Sequence, residues 1–240
     1  MPIAHFIEGE AGCAYAREHG CAAVVVDALR ASATAAALLH HGARRLLVVH
    51  HVEDAFAAQQ DWPDALLYGE RGGLPPEGFH HGNSPREAHH AARRDVIFTT
   101  TNGAARIVQA WGAPAILLGG PANANAVVAH LQREQRDVVL IPAGLVTDPN
   151  YDAQEDRAAA AYLATLLGWT IGQGHSECQH WQQRVQAEGL EQLFTTAPHS
   201  ESLRQLGFEE DIHLCAQVDT YPALPLAVER TSYGVVLKNQ

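Results

Sequence analysis

The chain has 240 residues, of which 47% are hydrophobic and 18% are charged, and its formal net charge is -11. This composition is typical of a folded protein with a sizeable core, and it argues against disorder. No run of Lys or Arg interrupts the acidic balance, which makes a nucleic acid or an anionic membrane surface a poor partner.

The four cysteines and the 15 histidines give no sign of a metal or disulfide framework. No C-x-x-C pair is present, so reduced thiols are the simpler interpretation. The histidines occur mostly as scattered pairs without the spacing of a zinc helix, which predicts that most are exposed. The N-terminal residues have no basic segment followed by an apolar run, and no apolar stretch approaches the roughly 20 residues of a membrane helix. We therefore expect a cytoplasmic protein.

Four buried β runs each lead through a polar loop into an Ala-rich helical stretch. In chain order these pairs are residues 23–27 and 33–39, 95–100 and 104–108, 115–118 and 124–131, and 137–141 and 157–167. Continuous apolar runs followed by helices are typical of buried parallel strands. Shorter strands are expected at 45–49, 65–68 and 233–237. The pattern predicts an α/β fold with a mostly parallel or mixed central sheet, in one domain over residues 1–240 that can contain two similar sub-halves.

A parallel sheet places the loops that follow its strands along one edge, where ligands of open α/β sheets bind. This geometry predicts that polar residues far apart in sequence lie close together. The residues concerned are Asp27, Arg30, Ser32, Thr99, Thr100, Asn102 and an acidic loop after Gly144.

The first candidate motif is Asp27-Ala28-Leu29-Arg30-Ala31-Ser32. A carboxylate after a buried strand lies near the sheet edge, and Arg and hydroxyl groups at a helix start suit an anion. The alternative is structural, with Ser32 as an N-cap and Arg30 on the surface.

The second motif is the Gly-rich loop from Gly69 to Pro85, which begins Gly69-Glu70-Arg71-Gly72-Gly73. In extended backbone Glu70 and Arg71 point to opposite sides, so one could serve a metal and the other a phosphate. Asn83 and Ser84, near the end of the loop, could donate hydrogen bonds to an oxyanion. Alternatively, the first part is a surface turn and the second only starts a helix with Pro85 at its first position.

Two further motifs follow predicted strands. In Thr99-Thr100-Thr101-Asn102-Gly103, the hydroxyls and the amide could bind a ligand, or they could be strand and turn residues. The acidic loop carries Asp148, Asp152, Glu155 and Asp156, and carboxylate oxygens are the ligands that Mg²⁺ prefers. A capping box over residues 152–155 would explain two of these acids but leave Asp156 without a structural role.

Signatures of a protein nucleophile are missing from the sequence. There is no G-x-S-x-G elbow. Asp27 lacks the D-x-D pattern expected of haloacid-dehalogenase-like phosphatases. A water activated by a metal ion is therefore the more economical nucleophile.

Taken in order, these motifs resemble the 2-phosphosulfolactate phosphatase (ComB-like) family. The matching elements are V-V-x-D-x-L-R-A-S ending at Ser32, G-E-R-G-G at 69–73, P-E-G-F-x-x-G-N-S-P at 76–85, T-T-T-N-G at 99–103, Asn123, Ala143-Gly144, Glu155-Asp156, and positions near Ser200, Gly207, 210–212, Cys215 and Asp219. Ala33, Ala104, Pro142 and the Ala-rich stretch after Asp156 depart from the expected pattern. These departures bear on the exact substrate more than on the reaction class.

The resemblance implies a three-layer α/β/α fold and Mg²⁺-dependent hydrolysis of (2R)-2-phospho-3-sulfolactate to 3-sulfolactate and phosphate, a step toward coenzyme M. On this hypothesis Arg30 and Arg71 pair with acidic groups of the substrate and act with Asp27 and Glu70 as catalytic residues. The metal ligands are drawn from Asp27, Glu70, Glu155 and Asp156. The contacts to substrate and phosphate come from Ser32, Asn83, Ser84, Thr100 and Asn102.

The implied partner is a small acidic phosphorylated metabolite, with no nucleic acid and no membrane, and a homodimer is the commonest default for the assembly. Two alternatives stay open from the sequence. One is a phosphatase of another small phosphorylated hydroxyacid, and the other is a non-catalytic anion-binding module.

Overall fold

The computed structural model describes residues 1–148 and 150–240. Its strands form one ten-stranded mixed sheet in the order β4-β5-β3-β10-β9-β6-β2-β7-β1-β8. The strands are β1 (Ile3–Phe6), β2 (Ala22–Val26), β3 (Arg45–Val49), β4 (Leu66–Gly69), β5 (Asp95–Thr99), β6 (Ile116–Leu118), β7 (Val138–Pro142), β8 (Thr170–Ile171), β9 (Pro225–Arg230) and β10 (Gly234–Asn239).

Helices cover the sheet and fill the space between its two ends. They are α1 (Gly9–His19), α2 (Ala31–His40), α3 (Val52–Asp61), α4 (Gly103–Gln109), α5 (Ala124–Glu134), α6 (Gln154–Leu167), α7 (His175–Glu188), α8 (Leu190–Thr195), α9 (Pro198–Gln205) and α10 (Glu209–Ala216), with 3-10 helices at Pro85–Ala91 and Pro121–Asn123. The predicted three-layer α/β/α arrangement with a mixed sheet is confirmed.

The sheet consists of two parallel groups joined by an antiparallel hairpin. Strands β4, β5 and β3 are parallel to one another, as are β6, β2, β7, β1 and β8. The pairs β3–β10, β10–β9 and β9–β6 are all antiparallel. The two parallel groups therefore run in opposite directions, and in a flat sheet their carboxyl ends would lie at opposite edges.

The sheet curls through this hairpin, because α4, which follows β5, packs against β2 and β6 of the other group. Sheets twist with a fixed hand, and a β-bulge increases the local twist. A register shift of this kind lies between Val236 and Leu237 of β10. Curling brings the carboxyl ends of β5 and β2 together, so the loops converge as expected, but by a different geometry from the single parallel edge that the sequence predicts.

Helix α2 lies in the interior of the molecule, with every residue from Ala31 to Leu39 buried. Its Ala-rich sequence lets neighbouring backbones approach closely, and it packs against strands of both groups as well as α4 and the two 3-10 helices. This central position fixes the start of α2, directly after Asp27, among the loops that form the site.

All seven predicted strands are present, including the last one. The sequence analysis did not predict β1, β8 or β9, which are short or have half-exposed residues without a continuous apolar run. It also did not predict helices α1 and α3, which present only a narrow buried face. None of the helices in the described residues is both long and apolar enough to cross a membrane.

Candidate active site

Asp27 is a buried carboxylate held between the starts of two helices. Its Oδ2 accepts a hydrogen bond from the backbone N–H of Gly103 at 2.7 Å, and its Oδ1 accepts one from the N–H of Ala31 at 3.3 Å. A Cβ atom on residue 103 would lie 2.8 Å from Oδ2. Only glycine therefore allows α4 to approach the carboxylate this closely.

Glu70 ties the Gly-rich loop to the end of β5. Its Oε2 accepts the backbone N–H of Gly73 at 2.9 Å, and its Oε1 accepts that of Thr101 at 2.7 Å. The residue is only 9% exposed. A carboxylate has about four lone-pair positions, so both oxygens keep capacity for a further ligand.

Asp156 and Glu155 lie in the first turn of α6 and are both buried. Asp156 accepts the N–H of Ala28 at 2.8 Å and that of Gly144 at 3.1 Å, so it joins the loops that follow β2 and β7. Glu155 has its Oε1 3.4 Å from Nδ1 of His199, whereas its Oε2 is buried without a hydrogen-bond partner among the described residues. An orphaned buried carboxylate oxygen is a place for a cation or a proton donor.

The capping box that would have explained the acidic loop is wrong. Helix α6 begins at Gln154, and its N-cap, Ala153, provides no side-chain cap. The Asp152 carboxylate instead accepts a hydrogen bond from Arg157. Ser32 is not an N-cap either, because α2 has Arg30 in that position.

Crowding of these carboxylates perturbs their protonation. Burial, followed by the charge of Glu70, raises the pKa of Asp27 to about 6. Burial, followed by the charges of Glu155 and Asp27, raises the pKa of Asp156 well above its ordinary value. Carboxylates that resist ionisation in this way are characteristic of functional sites, where a proton or a cation completes the arrangement.

Asp27 and Glu70 open onto a cavity of about 310 Å³. The uncharged lining residues include polar ones, among them Asn83, Asn102 and Thr101, and apolar ones such as Leu203 and Leu206. The full lining is Asp27, Leu29, Glu70, Gly72, Gly73, Asn83, Thr101, Asn102, Leu145, Tyr151, His199, Ser202, Leu203 and Leu206. Such a mixture suits a ligand with a charged head and a small organic body.

The two arginines predicted to bind acidic groups do not line this cavity. The Arg30 guanidinium is 1% exposed and donates to Asp211 Oδ2 at 2.6 Å. The Arg71 guanidinium donates to the carbonyl of Glu70 at 2.6 Å and to the carbonyl of His50 at 2.6 Å. Their direct contact with substrate stays a prediction.

Of the predicted substrate-binding residues, Asn83 and Asn102 line the cavity. Asn83 is 3% exposed, and its Oδ1 has no partner in the described residues. The hydroxyls of the other three are engaged within the protein. Ser32 Oγ accepts the N–H of Asp27, Thr100 Oγ1 accepts the N–H of Ala104, and Ser84 Oγ donates to Asp211. Ser84 also caps the 3-10 helix that Pro85 begins, as the structural alternative predicted.

Three polar residues of the cavity were missed by the sequence analysis: Tyr151, His199 and Ser202. Burial alone would lower the pKa of His199, but its contact with Glu155 and the charges of Asp27 and Glu70 raise it overall. His199 follows no strand and belongs to no spacing motif, so only its position beside the matched Ser200 could have drawn attention to it.

The donor set suits a hard cation, since Asp27, Glu70, Glu155 and Asp156 offer only oxygen atoms. Among residues 1–148 and 150–240, no three His, Cys, Asp or Glu side chains are placed to hold one metal ion together. A closed protein cage is therefore not formed by these residues. The arrangement fits an ion that takes one or two carboxylates and completes its shell with water and substrate oxygens, which is the usual habit of Mg²⁺.

Comparison with known proteins places this arrangement in a family. A family model described as 2-phosphosulpholactate phosphatase matches residues 13–230. The chain belongs to this phosphatase family. It is 34% identical to "Probable 2-phosphosulfolactate phosphatase" of Carboxydothermus hydrogenoformans, with 85% of each chain covered. It is 36% identical to the protein of the same name from Deinococcus radiodurans, over 86% of this chain and 87% of the relative.

Membership of the 2-phosphosulpholactate phosphatase family confirms the resemblance drawn from the motifs. The matched range includes all eleven residues predicted to form the site. It also includes His199, Tyr151 and Ser202, which the cavity adds. The family is one of phosphoric monoester hydrolases, so the cavity of about 310 Å³ is the candidate active site.

Proposed function

We propose that this chain is a Mg²⁺-dependent phosphatase that hydrolyses (2R)-2-phospho-3-sulfolactate to 3-sulfolactate and phosphate. The observation that carries the proposal is the convergence of Asp27 and Glu70 on one cavity, with Glu155 and Asp156 buried close to it. The names of the relatives supply the substrate. The cytoplasmic location is proposed from the sequence alone. The place of the reaction as a step toward coenzyme M, with a small acidic phosphorylated metabolite as its partner, is what the resemblance implies.

The ligands of Mg²⁺ would be drawn from Asp27, Glu70, Glu155 and Asp156, of which Asp27 and Glu70 line the cavity itself. When bound, the ion would neutralise charge on the phosphoryl oxygens. The buried Oε2 of Glu155 has no hydrogen-bond partner among the described residues, and this supports the presence of a cation nearby.

The neutral polar residues of the cavity position the phosphoryl group. Asn83 carries an amide with a free oxygen in the described residues, and its NH₂ group can donate to a phosphoryl oxygen. Asn102 is held by the N–H of Val146, which donates to its Oδ1 at 3.0 Å and leaves its NH₂ group for the ligand. Fixed donors of this kind lower the barrier because they need little rearrangement as charge develops.

When Glu70 and the carboxylates of α6 hold the ion, Asp27 is free to act as the general base. A base is most effective when its pKa lies near the working pH, and in the protein without metal, burial followed by the charge of Glu70 raises the pKa of Asp27 to about 6. Its carboxylate would take a proton from the attacking water. The backbone N–H groups of Ala31 and Gly103 hold it in one orientation while it does so.

The test is phosphate release from 2-phosphosulfolactate by the purified protein, with Mg²⁺ and with a chelator in excess. We expect release that needs Mg²⁺, and we expect Asp27→Asn to lose at least a hundredfold in kcat, a typical scale for a general base. Release that persists in the chelator would contradict the metal dependence. No release from any phosphate ester would instead favour a non-catalytic anion-binding module.

A second candidate substrate is favoured by the charge of the cavity. Its lining includes no Arg or Lys among the described residues, and it does include four leucines: Leu29, Leu145, Leu203 and Leu206. A sulfonate would therefore meet no fixed guanidinium or ammonium group in this arrangement. Another small phosphorylated hydroxyacid, with fewer charges than phosphosulfolactate, fits this lining as well.

A matched pair of esters separates the two substrates. Phospholactate has the same carboxylate and phosphate as phosphosulfolactate but lacks the sulfonate. A kcat/KM at least tenfold higher for the sulfonated ester supports the first proposal. Equal values, or a preference for phospholactate, would identify a phosphatase of another hydroxyacid.

A further inference from the structure

Asp211, on helix α10, is a buried carboxylate within the matched run at 210–212 that was given no role in the site and does not line the cavity. It is 1% exposed. Its Oδ2 accepts a hydrogen bond from Arg30 Nη1 at 2.6 Å, and its Oδ1 accepts one from Ser84 Oγ at 2.8 Å. These partners lie in two different loops of the site, so one carboxylate from the C-terminal helices joins both.

The first connection leads to Glu70. Arg30 uses its other terminal nitrogen, Nη2, to donate to the carbonyl of Gly73 at 2.8 Å, and its guanidinium lies over the ring of Phe208, 4.2 Å from the centroid. The N–H of Gly73 in turn donates to Glu70 Oε2 at 2.9 Å. Asp211 therefore holds the Arg30 guanidinium in place, and Arg30 in turn holds the Gly-rich loop around Glu70.

The second connection leads to Asn83. Ser84 is 4% exposed, and its Oγ donates to Asp211 while accepting the N–H of Arg86 at 3.3 Å. The neighbouring Asn83 lines the cavity, and its Oδ1 has no partner among the described residues. Because the Asn83 oxygen has no protein partner, the position of this side chain depends on its backbone, which the Ser84 contact anchors.

We infer that Asp211 is a positioning residue of the active site, which sets Glu70 through Arg30 and sets Asn83 through Ser84. The inference rests on the proposed phosphatase function. Buried ion pairs often add little net stability compared with apolar residues, but they fix geometry where both partners make several hydrogen bonds. Catalytic groups need such a supporting layer, since small displacements cost large factors in rate.

Two variants and one matched control test the inference. Asp211→Asn removes the charge that faces Arg30, and Ser84→Ala removes only the second connection. The control is Asp219→Asn, because Asp219 lies in the same C-terminal region but its carboxylate accepts the N–H of Asn125, at 2.8 Å, which belongs to neither loop. Amide hydrogen exchange over residues 69–74 and 82–86 reports on the two loops without any need for turnover.

We expect faster exchange in both segments for Asp211→Asn, in 82–86 alone for Ser84→Ala, and in neither for Asp219→Asn. We also expect kcat/KM to fall about tenfold in Ser84→Ala, the scale of one lost hydrogen bond, and about a hundredfold in Asp211→Asn, which leaves a buried guanidinium without its partner. Measurements are made well below the thermal midpoint of each variant.

Unchanged exchange in the two loops would overturn the inference, and so would faster exchange with an unchanged kcat/KM, since Asp211 would then be only structural. If Asp211→Asn does not fold, Ser84→Ala decides on the same criteria. A wild-type protein that hydrolyses no phosphate ester would contradict the proposed function, whereas the exchange comparison would still show whether Asp211 orders the two loops.

Discussion

The backbone N–H of Gly103 donates to Asp27 Oδ2 at 2.7 Å, although the two residues are 76 positions apart. They follow strands of the two opposed parallel groups, β2 and β5, which lie on either side of the β9–β10 hairpin. This hydrogen bond therefore links the two halves of the sheet at the candidate active site. The Asp27 carboxylate lies at the start of α4, where free N–H groups stabilise negative charge.

Gly103→Ala tests this link. The added Cβ atom would lie 2.8 Å from Asp27 Oδ2 and 3.0 Å from Asp27 Cβ, so α4 or the carboxylate has to move. We expect a loss of roughly 1–3 kcal/mol in the free energy of unfolding and a larger proportional loss in kcat/KM. Urea denaturation and steady-state kinetics measure the two effects. Val108→Ala, half-buried and five residues further along the same helix, is the control. Equal losses of kcat/KM in both variants would contradict the role of this contact.

The fold was largely predictable because its central strands are continuous apolar runs followed by Ala-rich helices. What the sequence could not supply was the direction of the two groups, since this depends on where β9 and β10 insert. Strand β9 has mostly exposed or half-buried residues and pairs with β6 through Leu226 and Leu117 alone. Local patterns contain no information on such a long-range pairing.

Asp27 was predictable as a carboxylate of the site because it directly follows a buried apolar strand. The roles of the arginines were harder, since a sequence does not say which carboxylate or carbonyl a guanidinium will meet. The Arg30 guanidinium donates to Asp211, which lies 181 positions away in the sequence. His199 was missed because its importance comes only from the tertiary contact with Glu155.

The contribution of Asp27 to stability without metal, measured as the difference between the wild type and Asp27→Asn, is expected to fall as the pH rises from about 4 to about 6. The folded protein raises the pKa of Asp27 from 3.8 to about 6, so in this range the folded state holds more protons than the unfolded state. Linkage then makes the folded state less stable with rising pH, by roughly 3 kcal/mol at most for this group. Asp156 acts in the same direction. Scanning fluorimetry between pH 4 and 8 measures the effect.

Mg²⁺ is expected to reverse this trend. The ion binds the ionised carboxylates, so the rise in thermal midpoint on adding Mg²⁺ should be larger at pH 7 than at pH 5. Asp27→Asn should show both a weaker fall with pH and a smaller Mg²⁺ effect. A Mg²⁺ effect that is the same at both pH values, or that is unchanged in Asp27→Asn, would contradict the placement of the ion beside this carboxylate.

His199→Gln is expected to be more destabilising at pH 6 than at pH 9. Although burial lowers the pKa of His199, Glu155 and the nearby carboxylates raise it overall. The stability that this pair contributes is fully present below the ordinary pKa of 6.5 and is lost as the pH rises through the higher folded value. We expect the difference to be about 1 kcal/mol in urea denaturation without metal. His180→Gln, at an exposed helix position, should cost the same at both pH values; a similar result for His199→Gln would show that its contact with Glu155 contributes nothing.

Arg71→Lys is expected to act on the thermal midpoint of unfolding rather than on the binding of phosphate. The guanidinium donates from Nη2 to the carbonyl of His50 at 2.6 Å and to Thr99 Oγ1 at 2.9 Å, and from Nη1 to the carbonyl of Glu70 at 2.6 Å. A lysine keeps the charge but cannot make this fork of bonds. Two lost hydrogen bonds at about 1 kcal/mol each correspond to a fall of roughly 4–8 °C in a protein of this size.

Arg136→Lys, at an exposed position, should change the midpoint by no more than about 1 °C, in line with other surface substitutions. An Arg71→Lys protein with an unchanged midpoint but weaker inhibition by inorganic phosphate would show instead that the guanidinium turns to the ligand when phosphate binds.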